Sequence, residues 1–247
     1  MRLVFLACAF AVLGVAGAAD LKILSGTGAR AAVLGLATTF DRATGNRTTV
    51  DFAVNPETRA KIEAGQAFDV AILNPPVLDA LIQRGRIAAD TRTVLGRAGI
   101  GVAVRAGAPK PDISTVEAFK RTLLSARAVA YPGEGASGKY FVGLVRRLGI
   151  EAEMKPRMRP MSADYNVETL TTGETDLAVA VASRISGVAG VQLVGAIPRE
   201  LQTWIGFTAG VGSHAREPEA ARAMLRFFTS PDAAAVLKAA GVEPFVE

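Results

Sequence analysis

The sequence predicts an α/β protein. Short apolar runs alternate with stretches whose apolar residues recur at helical spacing. Glycine and hydroxyl residues fill turns from strand to helix in both halves, as in Ser25-Gly26-Thr27-Gly28 and in Gly133 to Tyr140. Half of the 247 residues are hydrophobic, enough to bury a large core as one large domain or two small ones. Proteins of this architecture bind ligands beyond the carboxyl ends of their strands, where helices begin.

The elements follow in order. Leu21 to Leu24 is a first strand. A helix runs from Ala29 to Thr44, with Val33, Ala37 and Phe40 on one face and Gly45 as its stop. Thr48 to Val54 alternates as a strand, and Pro56 opens a short helix that ends near Gly65. Phe68 to Leu73 is a buried strand, which Asn74-Pro75-Pro76 turns into the helix Val77 to Arg84. Gly99 to Arg105 is a further strand. Ser114 with Glu117 reads as a capping box for a helix to Ser125. Ala128 to Tyr131 is a strand and Lys139 to Leu148 a helix stopped by Gly149. Asp164 to Thr172 reads as a helix, with strands at Leu177 to Val181, Val191 to Val194 and Leu201 to Val211. Two helices close the chain, Pro218 to Phe228 and Pro231 to Ala240, the second capped by Ser230.

Composition narrows the chemistry. Arg2, an apolar run from Leu3 to Val15, and the small residues Ala16-Gly17-Ala18 form a secretory leader over residues 1–18. The run is shorter than the about 20 residues of a membrane span. A soluble, exported protein is expected. Cys8, the single cysteine, lies inside that leader, so the mature chain offers no disulfide, thiolate metal site or cysteine nucleophile. His214 is the single histidine, too few for a His-rich metal site or a typical Ser-His-Asp triad. No metal and no cofactor are expected. The formal net charge is +5, and no basic stripe interleaved with aromatic residues marks a nucleic-acid partner. A small anion suits this mild excess better.

Ser25 to Ala29 has the chemistry of an anion cup. A helix N-terminus presents unpaired N–H groups and about half a positive charge. Ser25 and Thr27 add hydroxyls, while Gly26 and Gly28 admit close approach. A nucleotide loop is excluded by the missing G-x-x-x-x-G-K-[ST] pattern and by the missing third glycine of a dinucleotide fingerprint. A tight strand-to-helix turn with Ser25 as a cap is the plain alternative. A second cup, Gly133 to Tyr140, carries Ser137, Gly138 and Lys139, so a ligand held between two α/β units is expected.

With "LSGTGARAAVLGLATTFDRATG", "FDVAILNPPVLDALIQRGRI", "VAVRAGAPKPDIST", "YPGEGASGKY", "GETDLAVAV" and "EPEAARAMLRFFTSPDAAAVLKAAGVEP", essentially the whole mature chain resembles periplasmic substrate-binding proteins of the molybdate-binding type. That resemblance implies a two-lobed type II "Venus flytrap" with two crossing strands at its hinge, about Gly99 to Arg105 and Trp204 to Val211. One lobe would comprise 19–100 and 207–247, the other 101–206. It also implies an inner-membrane ABC permease as partner, and a monomer is expected. Molybdate binders place a Ser after the third strand, where this chain has Leu73 and Asn74. Their Tyr after the late strand is replaced by Val181, followed by Ala182 and Ser183.

The ligand-binding candidates are therefore Ser25, Gly26, Thr27, Gly28, Arg30, Asn74, Ser137, Gly138, Lys139 and Ser183. Arg30 beside the first cup suits carboxylates or phosphates and favours a small organic carboxylate or an oxyanion other than molybdate. Arg105 and Arg184 are further candidates, each read equally well as a solvated surface arginine, and Arg157 and Arg159 fall in a loop. Trp204 and Phe207 fit hinge packing better than ligand stacking. The alternative to capture is an aconitate-isomerase-like enzyme on the same scaffold, for which Glu134, Lys139 and Tyr140 are the nearest candidates for proton transfer.

Overall fold

The computed structural model describes residues 18–162 and 165–245. Residues 1–17 of the expected leader, with Cys8, lie outside them, as does Asp164. The first part of the chain forms β1 (Asp20–Gly26), α1 (Arg30–Thr44), β2 (Arg47–Ala53), α2 (Asn55–Glu63), β3 (Val70–Leu73), α3 (Pro75–Gln83) and β4 (Thr93–Arg105). Next come α4 (Val116–Ser125), β5 (Val129–Pro132), α5 (Ala136–Arg147), α6 (Glu151–Met154), β6 (Met158–Met161), α7 (Thr169–Thr172), β7 (Leu177–Val181), α8 (Ala182–Ile185) and β8 (Val191–Ala196). The chain ends with β9 (Trp204–Val211), α9 (Pro218–Phe228), α10 (Pro231–Ala239) and β10 (Glu243–Pro244). Short 3-10 turns stand at Thr27–Ala29, Ala89–Thr91 and Arg199–Leu201.

The strands run in the order β2-β1-β3-β9-β4-β7-β5-β6. Two parallel groups lie at the ends: β1 with β2 and β3, and β5 with β6 and β7. The antiparallel strands β4 and β9 join them. β4 pairs with β9 as far as Gly99↔Trp204 and with β7 from Ile100↔Val181 onward. One strand thus serves two sheets and changes partner between adjacent residues. The parallel strands β1, β3 and β7 are buried almost throughout, which explains their near-continuous apolar sequence.

The last two helices return to the first parallel group. Phe227 of α9 meets Phe40 of α1 at 5.7 Å between ring centroids. The carboxylate of buried Asp69 accepts from Lys22 N at 2.8 Å, Arg216 N at 2.8 Å and Glu217 N at 3.0 Å. It thereby ties β1 to the start of α9 and places a negative charge at a helix N-terminus, where it is favoured.

Several boundaries differ from expectation. β1 continues through Ser25 and Gly26, so these residues are strand rather than turn. Thr115, not Ser114, caps α4 by accepting from Ala118 N; the Ser114 hydroxyl donates to Asp112. α5 starts at Ala136, ahead of the expected Lys139. Residues 158–161 form the edge strand β6 beside β5 instead of a loop. Of the expected helix ending at Thr172, only its last turn, α7, is helical among the described residues; 165–168 form bends and turns.

Candidate functional site

A cavity of about 200 Å³ opens where the first turns of helices from both ends of the sheet meet. Gly26 lines it from the end of β1, Thr27 and Gly28 from the turn before α1, and Val54, Asn55 and Pro56 from the start of α2. Asn74 and Val77 come from α3, Gly135, Ala136, Ser137 and Lys139 from α5, and Val181 and Arg184 from α8. Each of these helices follows a strand directly, which aims its leading N–H groups past the strand end.

None of these helix starts is capped by a side chain. Elsewhere, Thr115 caps α4 and Ser230 caps α10 by accepting from Ala233 N. The first turn of a helix leaves N–H groups without an intrahelical acceptor. In α5 the first intrahelical bond to the cap residue is Lys139 N to Gly135 O, which leaves the N–H groups of Ala136, Ser137 and Gly138 outside the helical ladder. The cavity therefore gathers donors and positive dipole ends.

Two asparagines lock the starts of α2 and α3 together. Asn55 Nδ2 donates to Asn74 Oδ1 at 2.6 Å, and Asn74 N donates to Asn55 Oδ1 at 2.9 Å. Asn74 Nδ2 then donates to Gly206 O of β9 at 2.8 Å. Ile72, Leu73, Val77, Val181, Ile205 and Phe207 add a hydrocarbon wall to the same lining.

Arg184 also reaches the lining, though its side chain is only 4% exposed. One of its nitrogens lies 2.7 and 2.8 Å from the two Glu168 carboxylate oxygens. This corrects the surface reading of Arg184, since burial of the guanidinium is matched by a carboxylate partner. Phe207 lines the cavity, whereas Trp204 turns outward under the Arg97 guanidinium at 4.2 Å. Tyr140 donates to Leu201 O at 2.5 Å and stays outside the lining.

Of the residues singled out in the sequence, Gly26, Thr27, Gly28, Asn74, Ser137 and Lys139 meet around the cavity. Four lie outside its lining. Ser25 is fully buried and turns its hydroxyl back to Gly26 O at 3.2 Å. Arg30 stacks on the Phe52 ring at 4.2 Å. Gly138 abuts the Pro132 carbonyl so closely that a Cβ would lie 1.7 Å from the oxygen. Ser183 is buried and donates to Gly28 O. Arg105 is exposed, Arg157 donates to Ala126 O and Arg159 to Pro156 O, all away from the lining. Asn55 joins the lining without having been singled out by its glycine-poor surroundings, yet the sequence marks it: Val54-Asn55-Pro56 repeats the strand-Asn-Pro-helix pattern of Leu73-Asn74-Pro75. Among the described residues no three of His, Cys, Asp and Glu gather as metal ligands.

Two parallel groups of strands joined by crossing antiparallel strands, with helix N-termini meeting over the cavity between them, define the two-lobed type II periplasmic binding protein class. The chain belongs to the bacterial extracellular solute-binding protein family, whose family model matches residues 21–243. It is 33% identical over 232 residues, 91% of this chain and 87% of the other protein, to an aconitate isomerase of a Pseudomonas species. Among solved structures, the periplasmic molybdate-binding protein of Azotobacter vinelandii superposes with a TM-score of 0.76 at 18% identity, over 90% of this chain and 98% of that one. A sulfate-binding protein of Mycobacterium tuberculosis gives 0.72 at 15% identity, over 92% and 87%. These two structures share the fold.

Proposed function

We propose that this chain is a periplasmic receptor that captures a small anion between two lobes and presents the closed form to an inner-membrane ABC permease. The lobes in this proposal are 19–100 with 207–247, and 101–206. The convergence of uncapped helix starts from both ends of the sheet carries the proposal. A ligand that touches both groups stabilises the closed arrangement by its differential contacts. The cavity lies below the about 300–1,000 Å³ typical of drug-sized sites, which suits a small solute.

The hydrocarbon wall favours a small organic carboxylate over a tetrahedral oxyanion. Polar oxygens facing Ile72, Val181 and Phe207 lose hydration without gaining donors, whereas a carbon skeleton fits there. Lys139 supplies positive charge for carboxylates. The test is thermal denaturation with molybdate, sulfate, citrate or trans-aconitate. A ligand at a hundred times its Kd adds about 2.7 kcal/mol, about 5–10 °C in Tm for a chain of this size. Replacing Thr27 and Ser137 together by alanine is expected to abolish that shift. A shift of the same size in the double variant overturns the site.

An isomerase is the second reading, favoured by the identity with aconitate isomerase across most of the chain. Incubation with cis- or trans-aconitate, followed by the absorbance of each isomer, separates turnover from capture.

A further inference from the structure

We propose that Glu134 carries a proton between two carbon atoms of the bound anion. This rests on the isomerase reading and names the group that does its chemistry. Glu134 is the one carboxylate among the described residues that line the cavity, and no histidine, tyrosine or cysteine joins it there. A carboxylate in the lining repels a fully ionised guest unless it accepts a hydrogen bond or a proton from it. The same carboxylate is what a proton transfer requires.

The neighbouring groups assign the remaining roles. Lys139 and Arg184, as cations, have donors and no acceptor. Lys139 suits the negative charge of the substrate and of its deprotonated form. The hydroxyls of Thr27 and Ser137 donate to an anion and need a base of their own to abstract a proton. Glu134 stands immediately before Gly135, the residue that opens α5, so the same short loop sets both the carboxylate and the uncapped N–H groups of Ala136 and Ser137. It forms no hydrogen bond or ion pair with any described residue.

Its second surface faces water. Glu134 also lines an adjoining space of about 410 Å³ bounded by Ala53, Val54, Glu57, Pro160 and Ser162. An exposed carboxylate shared by the two spaces can take a proton from substrate and exchange it with solvent.

The substrate class is an unsaturated polycarboxylate with a methylene group beside its double bond. The methylene C–H bond breaks and its proton passes to a Glu134 oxygen. The electron pair spreads over the three allylic carbons and into the adjoining carboxylates. Rotation about a bond weakened in this way changes the geometry. The proton then returns to the far allylic carbon, and the double bond has moved. No atom or electron is gained or lost overall.

The experiment follows cis-aconitate in D₂O by proton NMR with the mature chain, Glu134→Gln and Glu134→Asp. The native chain is expected to form trans-aconitate with deuterium entering the methylene position. Glu134→Gln is expected to keep the thermal shift given by tricarballylate while exchange and isomerisation fall about 10²–10⁴-fold. Glu134→Asp is expected to recover part of the rate, because it restores the acceptor on a shorter arm. Exchange at the native rate in Glu134→Gln overturns the role of Glu134 and leaves the isomerase reading standing. A native chain that shifts with tricarballylate yet neither exchanges nor isomerises cis-aconitate overturns both.

Discussion

Ser183 donates its hydroxyl to the carbonyl oxygen of Gly28 across 2.5 Å, joining the start of α8 to the turn between β1 and α1. The two residues are 155 positions apart. Gly28 lines the cavity while Ser183 does not, so Ser183 acts on the site through its partner. Replacing Ser183 by alanine leaves the half-buried Gly28 carbonyl without its donor, at a cost of about 1 kcal/mol. The expected result is a Tm lower by several degrees and a weaker response to the anion that shifts the native chain. Melting curves with and without that anion check both. An unchanged Tm would show that water replaces the hydroxyl at no cost.

Gly138 makes a sharper case, because its constraint is purely steric. A Cβ there would lie 1.7 Å from the Pro132 oxygen, a backbone atom that cannot swing aside. Gly138→Ala is expected to displace the start of α5 at a cost of about 1–3 kcal/mol and to remove anion binding. Gly143, in the same helix, has nothing within 4 Å of an added Cβ. Gly143→Ala is expected to stabilise by about 0.5–1 kcal/mol and to leave binding intact. Equal behaviour of the two variants in melting and titration would defeat the steric account.

The Asn55 and Asn74 pair offers a test of ligand charge. Asn74→Ala removes the acceptor for Asn55 Nδ2 and the donor to Gly206 O, with an expected loss of about 1–3 kcal/mol. Asn74→Asp keeps the acceptor but adds a negative charge to the lining. If the guest is an anion, the aspartate variant binds it more weakly than the alanine variant does, and more so at low salt. Isothermal titration of the two variants at two ionic strengths checks the order. The reverse order would refute an anionic guest.

The architecture was legible because its signals are local. The apolar run Leu177 to Val181 fixes β7, and Ser230-Pro231 fixes the start of α10. In the first a continuous apolar run suffices, and in the second a capping serine and a proline at the first helical position agree. Residues 158–161 were unreadable as a strand because β6 is an edge with two exposed positions and a proline, which hides the alternation. The glycine-rich turns announced the cavity, yet the identity of the lining did not follow from them. β1 extends through Ser25, so the hydroxyl expected in the cup points into the core, and a one-residue step along a strand reverses the face. Arg184 shows the reverse error. A lone arginine after a strand reads as surface until Glu168, placed by the fold rather than by spacing, accounts for its burial. The hydrocarbon wall had no signature either, because Ile72, Ile205 and Phe207 are indistinguishable in sequence from core residues.

Gln202 is expected to set the geometry of the crossing. Ile100 N donates to Gln202 Oε1 at 2.7 Å, and Gln202 Nε2 donates to Ile100 O at 3.0 Å. The side-chain amide thus stands in for a strand neighbour at the residue where β4 leaves β9 for β7. Gly99 makes room for it, since a Cβ at that position would lie 3.0 Å from the amide. Gln202→Glu keeps the acceptor but sets an oxygen against the Ile100 carbonyl, so it is expected to lower Tm more than Gln202→Ala does. Because both variants loosen the joint between the two strand groups without touching the cavity lining, the expected effect on binding is faster release with little change in association. Stopped-flow titration of each variant with the anion that shifts the native chain measures both rates. Native release rates in both variants would mean that β4 and β9 hold the joint without help from this amide.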